Sequence, residues 1–352
     1  MHLNRLYLRN FRNFEEASFC FDKKVNLICG SNGIGKTNLL EAIYLVSTGR
    51  SFRSSHLADL IRCETNFFYL EAVFYKDAHE QALSLYFDKK TKKLTHDNQT
   101  YSHFSPLLGL LPTVLYTPQD ASLIMGGPTL RRKFLDMHIA QFDPQYVYSL
   151  IRFFKALKQR NHLLKIQQIN SITAWEQIMA ETASYITDKR NEAINKLSPL
   201  IEQAIKKLSN HSLSLQLQYL PSLKETSPEA IKKQYADHRT KEIHQGLTSS
   251  GIHKDDFLIL TDEREAKIYA SEGQKRSAIA ALRLAEKKRL SELVSAPPLF
   301  SIDDFGAHLD PYKIELFEKE IDSSEGQVFI SSPHLLKQVS CHHLSINTHR
   351  KS

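Results

Sequence analysis

Hydrophobic and polar positions along this chain fall into blocks whose period changes several times, and those changes predict its elements. Leu6 and Leu8 mark a strand-like opening within residues 2–14, and Ser18-Phe19-Cys20-Phe21 predicts a second strand. Val25-Asn26-Leu27-Ile28-Cys29 is a short apolar run of the kind that makes a buried strand. After the next eight residues, Leu39, Leu40, Ile43 and Tyr44 recur at helical spacing. Residues 67–74 and 82–87, aromatic and β-rich, are expected to pair antiparallel, with Lys89-Lys90-Thr91-Lys92-Lys93 as a hairpin tip.

Beyond an apolar run at residues 111–116, Gly126-Gly127-Pro128 breaks the chain and the period lengthens. From 130 to 170 and from 175 to 208, apolar residues recur mostly every three or four positions. This predicts two or three long helices packed on each other as an inserted arm. Leu213, Leu215, Leu217 and Tyr219 alternate with Ser214, Gln216 and Gln218, a half-buried strand, and residues 228–245 return to helix. Residues 257–260 and 267–270 read as strands around a turn at Thr261-Asp262-Glu263. A helix then opens after Ser271, well placed as its N-cap, and runs through Ala278, Leu282, Leu284 and Leu290. Leu299–Ile302 is a short strand ending in Asp303 and Asp304, and residues 327–331 form another.

Composition adds bounds. At 352 residues the chain exceeds the usual single domain, so two lobes are expected. Hydrophobic residues at 41% and charged residues at 24% suit a soluble protein, and no run of 18 apolar residues predicts a membrane span. The N-terminus enters a strand pattern without a signal-peptide core, and four scattered cysteines without C-x-x-C spacing fit a reducing cytoplasm. Cys341-His342-His343 suggests metal less than a terminal structural strand, since adjacent strand residues face opposite ways. The net charge of +7 is concentrated: residues 121–250 carry 18 Lys+Arg against 11 Asp+Glu. That excess reads either as a polyanion-facing surface or as solvated helix faces. The lysines at 89–93 read likewise, as a phosphate-backbone contact or as an edge-protecting device.

The chemistry begins at Gly30-Ser31-Asn32-Gly33-Ile34-Gly35-Lys36-Thr37, which reads G-x-x-x-x-G-K-T between a strand and a helix. Its glycines let backbone N–H groups close around phosphates, and the new helix offers its positive end. Lys36 is expected to reach the β- and γ-phosphates and Thr37 to ligate Mg²⁺, so the chain is expected to bind a nucleoside triphosphate. Asp303, at a strand end, is the expected second Mg²⁺ group, and Asp304 beside it an orienter of the attacking water. Arg9 and Arg12 could reach nucleotide phosphates or DNA, although surface arginines usually do neither. Ser271-Glu272-Gly273-Gln274 at a fresh helix N-terminus is a second anion-binding device. One nucleotide needs one cradle. A second therefore points to a head-to-tail pair in which Ser271 of one copy meets the γ-phosphate held by Lys36 of the other, ATP gluing a two-fold dimer.

In this order the motifs resemble those of the ABC-type ATPases: Walker A at 30–37, Gln119 as a Q-loop residue, Ser271–Gln274 as the signature. Asp303 and Asp304 look like Walker B, residues 307–310 like the D-loop, and His334 like a switch histidine. Within that class several stretches resemble the RecF family: L-R-N-F-R-N-F at 8–14, G-R-S-F-R at 49–53, R-R-K-F-L-D at 131–136. L-K-Q-R-N-H-L-L at 157–164, G-I-H-K-D-D at 251–256 and S-E-G-Q-K-R at 271–276 complete the set. The resemblance implies an α/β fold, a P-loop ABC-type ATPase head with a mixed sheet flanked by helices, similar to SMC heads. The core lobe would comprise residues 1–120 and 247–352, and a basic, mainly helical arm residues 121–246.

It further implies a cytoplasmic ATPase of weak, DNA-stimulated turnover, using ATP and Mg²⁺, that dimerises on ATP and binds single-stranded, gapped or junction DNA without sequence preference. RecO and RecR would be its partners in recombinational repair, replication-fork maintenance and SOS induction. In the site, Gly30 to Thr37, Ser271, Gly273, Gln274 and Arg12 would touch the nucleotide, Thr37 and Asp303 the metal. Lys36, Gln119 and Asp304 would act in hydrolysis. Ile252 and Lys254 stand where the family usually has Pro and Arg, Gln119 where Glu is frequent, and Asp304 where transporter ATPases carry Glu. Arg131, Arg132, Lys155 and Lys158 are the expected DNA contacts of the arm. Two other classes remain open: the nucleotide-binding subunit of an ABC transporter, and a structural clamp that scarcely hydrolyses ATP.

Overall fold

Side chains that alternate between core and solvent along residues 2–20 fold back on themselves, because Phe11 and Phe14 flank a two-residue reversal at which Arg12 takes a positive φ of 54°. The structure, a computed structural model, describes residues 1–31, 33–209, 212–294, 296–306, 311–322, 325–332 and 339–346. In chain order the elements begin β1 (His2–Phe11), β2 (Phe14–Cys20), β3 (Val25–Cys29), α1 (Lys36–Thr48), β4 (Phe68–Lys76), β5 (His79–Phe87), β6 (Lys92–His96), β7 (Gln99–Tyr101) and β8 (Thr113–Tyr116). There follow α2 (Ser122–Met125), α3 (Pro128–Ala140), α4 (Pro144–Lys165), α5 (Ile172–Leu208), β9 (Leu215–Leu220), α6 (Pro228–Gln245), β10 (Asp256–Thr261), β11 (Arg264–Glu265) and α7 (Ala266–Tyr269). The chain closes with α8 (Glu272–Leu293), β12 (Leu299–Ile302), α9 (Pro311–Asp322), β13 (Val328–Ser332) and β14 (His342–Ser345). No described helix is long and apolar enough to cross a membrane.

Two compact units result. The first takes Met1–Asp120, Ala204–Ser212 and Glu272–Ser352; the second takes Ala121–Gln203 and Leu213–Ser271, so residues 247–271 group with the second.

The first unit contains two sheets. One is antiparallel, in the order β2-β1-β4-β5-β6-β7, and its apolar face joins a core with Leu39, Leu40 and Ile43 of α1. The other is wholly parallel, in the order β14-β3-β13-β12-β8, and its central strands β3, β13 and β12 read as near-continuous buried runs, as a sheet covered on both faces requires. Its register decides the site. Cys29 pairs with Ser332, and Ile302 pairs with both Ile330 and Tyr116, so the carboxyl ends of β3, β13, β12 and β8 reach one edge. Ligands of open parallel sheets bind at that edge.

The second unit is mainly helical, with a three-stranded sheet β11-β10-β9. Residues 267–270, expected as a strand, form the helical turn α7 instead. Asp262 and Glu263 both adopt positive φ, 48° and 63°, making a tight hairpin turn that places the return strand at Arg264 and Glu265. Ala266 is then buried and accepts a helical hydrogen bond from Ala270 N, so the strand has no length left.

Candidate nucleotide site

The buried run of β3 delivers the chain to the glycine loop at the sheet edge. Gly35 there has φ +116°, and a Cβ on it would lie 2.8 Å from Asn13 Nδ2, so both conformation and space require glycine. α1 starts at Lys36 with no side-chain cap and no acidic residue in its first turn. Its first N–H groups and the positive end of its dipole are therefore left for an anion. The Lys36 ammonium folds over the loop, donating to the carbonyls of Gly30 (2.5 Å) and Ser31 (3.1 Å).

One residue further, the Thr37 hydroxyl donates to Asp303 Oδ1 at 3.0 Å, joining residues 266 apart in sequence. Ser331, at the end of β13, donates its hydroxyl to the same oxygen at 2.7 Å. Asp303 is 5% exposed; burial pushes its carboxyl above the usual carboxylate range, against the pull of the Ser331 and Thr37 hydrogen bonds. A hydroxyl and a carboxylate this close, both hard oxygens, suit a Mg²⁺ ion, whose charge would favour the ionised form that burial disfavours. The adjoining Asp304 is different: it is exposed, adopts φ +53°, and is fixed through its backbone N–H, which donates to Ser331 Oγ at 2.8 Å. A non-glycine residue in that region is uncommon outside turns and functional positions, and aspartate is among those that tolerate it.

Two motifs far apart brace the loop. Arg12 places a guanidinium edge on both oxygens of Glu41 in α1 (2.8 and 2.7 Å) and donates to the Asp59 carbonyl at 2.9 Å. Glu41 is fully buried and also receives the Ser51 hydroxyl. Asn13 donates to the Ile34 carbonyl (2.9 Å) and accepts from Asn38 (2.7 Å), which in turn accepts from Arg53 (2.7 Å). The stretches at 8–14 and 49–53 thus converge on the first turns of α1, a convergence that only tertiary pairing reveals.

Gln119 lies exposed in the turn after β8, and its neighbour Asp120 makes the local contacts. Asp120 accepts two hydrogen bonds from Arg283 of α8 (3.0 and 2.7 Å), and Arg283 also donates to Glu286 at 2.7 Å. Burial raises the Glu286 carboxyl, with Arg283 opposing the rise. This cluster ties the turn carrying Gln119 to the helix that Ser271–Gln274 opens, and no sequence motif marks it. Ser271 and Gly273 are exposed and Gln274 half-exposed, at the start of that helix. Asn32, residues 307–310 and His334 lie outside the described residues.

Comparison with known proteins places this geometry. The model of the RecF/RecN/SMC N-terminal domain matches residues 2–340. The DNA replication and repair protein RecF of Protochlamydia amoebophila is 44% identical over 94% of each chain. The chain belongs to the RecF family. RecF of Chlamydia caviae is 37% identical, over 96% of this chain and 93% of its own. The solved structure of the recombination mediator protein RecF-ATP in the RecFOR pathway superposes with TM-score 0.87 at 30% identity, covering 96% of this chain and 92% of that one. An Smc head bound to the C-winged helix domain of ScpA shares the fold, with TM-score 0.54 at 15% identity over 94% and 90% of the two chains. The fold is therefore the α/β ABC-type ATPase head of the RecF family.

The second unit corrects one expectation. Arg131 is 8% exposed and spends its guanidinium internally: bidentate on Asp256 (2.6 and 2.8 Å), with further bonds to the carbonyls of Leu123 and Gly126. Arg132 donates to the Asp255 carbonyl at 2.7 Å. The R-R-K-F-L-D and G-I-H-K-D-D stretches thus pair with each other inside the unit; the Arg131 guanidinium is committed there and does not face DNA, whereas Arg132 stays half-exposed.

Proposed function

We propose that this chain is an ATP-switched DNA-binding protein of recombinational repair, in which nucleotide state controls the pairing of two copies. The observation that carries this reading is the Thr37–Asp303 hydrogen bond, set at a parallel sheet edge beside Lys36 and an uncapped helix N-terminus. The backbone N–H groups of the glycine loop wrap the phosphates, and Lys36 exchanges the Gly30 and Ser31 carbonyls for phosphate oxygens. Thr37 and Asp303 hold Mg²⁺, which supplies positive charge where negative charge develops. Asp304 and Gln119, both exposed at the same edge, orient the attacking water, and an Asp there in place of Glu suits slow turnover. Arg12 keeps Glu41 and the first turn of α1 in place, beside the phosphates.

Ser271, Gly273 and Gln274 complete the site of a second copy, giving an isologous pair with two buried nucleotides. Loss of the γ-phosphate then releases the pair. DNA is held through backbone and shape at single-stranded, gapped or junction sites, with RecR and RecO as partners in the cytoplasm, in support of fork maintenance and SOS induction. The relatives' names and the RecFOR pathway of the solved neighbour support this direction. Binding of a fluorescent ATP analogue with Mg²⁺ to Asp303→Asn tests the metal role. The variant should lose the Mg²⁺-dependent part of affinity and keep the Mg²⁺-independent part. Unchanged Mg²⁺ dependence would refute it.

A further inference from the structure

α4 divides its charge by face. Pro144–Lys165 contains no acidic residue, and its inner side buries Tyr146, Phe153, Leu157 and Arg160. Arg160 is fully buried and satisfied there by Glu176 and Glu242. The outer side presents large apolar groups in the open: Tyr148 at 54%, Ile151 at 54% and Phe154 at 46%. Lys155 and Lys158 are exposed among them, and Arg152 lies over the Tyr148 ring, 5.6 Å from its centroid. Positions 148, 151, 155 and 158 step by three and four, which keeps them on one stripe of the helix. Neither lysine, nor Arg152, forms an ion pair with a described residue.

We propose that this outer face of α4 binds single-stranded DNA, with unstacked bases against Tyr148 and Phe154 and phosphates met by Arg152, Lys155 and Lys158. The proposal rests on the DNA-binding reading above and adds to it a place on the chain for the single strand. Rings interleaved with cations, rather than an apolar row with charged margins, match the way single strands are bound: flat faces for bases and charges tracking the backbone. A duplex keeps its bases stacked and offers mainly phosphates, which gives three exposed apolar side chains nothing to cover. An uncompensated positive helix face complements the strand's charge, whereas Arg160 on the same helix is already neutralised.

The test uses the full chain with Mg²⁺-ATP and a fluorescein-labelled oligothymidylate, titrated at several salt concentrations beside a duplex of equal length. Tyr148→Ala with Phe154→Ala should weaken single-strand binding about tenfold or more while leaving the salt slope and duplex affinity within twofold. Lys155→Ala with Lys158→Ala should weaken it and flatten the slope of log K against log salt by about 1.4. Tyr148→Phe with Phe154→Trp keeps the rings and should bind as the parent does, which separates loss of stacking from loss of fold. Equal losses on single strand and duplex in the ring variant would overturn the proposal for a duplex surface. Parental binding in both alanine variants would overturn it too, leaving the stripe for an acidic protein partner. A parent that binds no DNA at all would sink the DNA reading itself, while binding with indifferent variants sinks only this placement.

Discussion

The glycine-loop edge of the first unit and the buried centre of the second use charged side chains in opposite ways. Around the glycine loop, Lys36 rests on carbonyls that a phosphate oxygen can replace, Thr37 and Asp303 meet at the sheet edge, and Asp304 is exposed. In the second unit, Arg190 is 1% exposed and bonded to Asp136, Asp255, the Ile252 carbonyl and the Tyr146 hydroxyl, while Arg160 and Arg239 share Glu176. Asp255 also accepts from Tyr219 and from Ser222 N. The first arrangement leaves capacity for a ligand; the second leaves none, so it fixes the packing of helices and of the β9–β10 hairpin instead. A charged motif tells of function only when its groups keep an exchangeable partner.

Breaking the second arrangement should cost most. Arg190→Ala would strand Asp255, itself 1% exposed, and should lower stability by about 3–5 kcal/mol in urea denaturation. A loss under 1 kcal/mol would mean that the network is incidental. Lys36→Ala should do the reverse, changing stability by less than about 0.5 kcal/mol. It should weaken ATP roughly 10–100-fold, the worth of charged hydrogen bonds to phosphate, by equilibrium titration. Arg131→Ala and Lys155→Ala put the contrast on two cations of one unit. The former should destabilise by about 2–4 kcal/mol because Asp256 loses its bidentate partner, and the latter should leave the melting curve in place.

Lys287 sharpens the comparison as a buried cation of the first unit. Burial lowers its ammonium to about 8, with Glu320 and Glu325 opposing, and it sits 5.6 Å from the Phe300 ring centroid. The unfolded chain, with lysine near 10.4, binds more protons between those values, so stability should rise as pH climbs from about 8 to about 10.4. Lys287→Met should remove that rise and add roughly 1–3 kcal/mol at pH 7, read from denaturation across pH. A parent whose stability falls over that range would contradict it.

Legibility in the sequence followed distance along the chain. The glycine loop is contiguous, strand to loop to helix, and each part signals itself locally; Asp303 is marked by the strand that ends there. α6 was readable to its last residue, since Pro228 and Gly246 punctuate it. What stayed hidden is pairing between distant positions. Arg12 with Glu41, Asp120 with Arg283, and Arg131 with Asp256, 125 residues apart, become visible only once sheets and helices set the register. Arg131 misled for a physical reason: in sequence a guanidinium shows its charge but neither its burial nor its carboxylate. Residues 267–270 misled because β-formers such as Ile268 and Tyr269 follow a turn so tight that the strand ends before reaching them.

The most direct test is sedimentation of the full chain with gapped DNA, with and without Mg²⁺-ATP, for the parent and for Ser271→Arg. If ATP is clasped between two copies, the parent should double in mass only with ATP. The variant should stay single while a single copy binds ATP as before. A parent of one unchanging mass under both conditions, or a variant that still pairs on ATP, would contradict it.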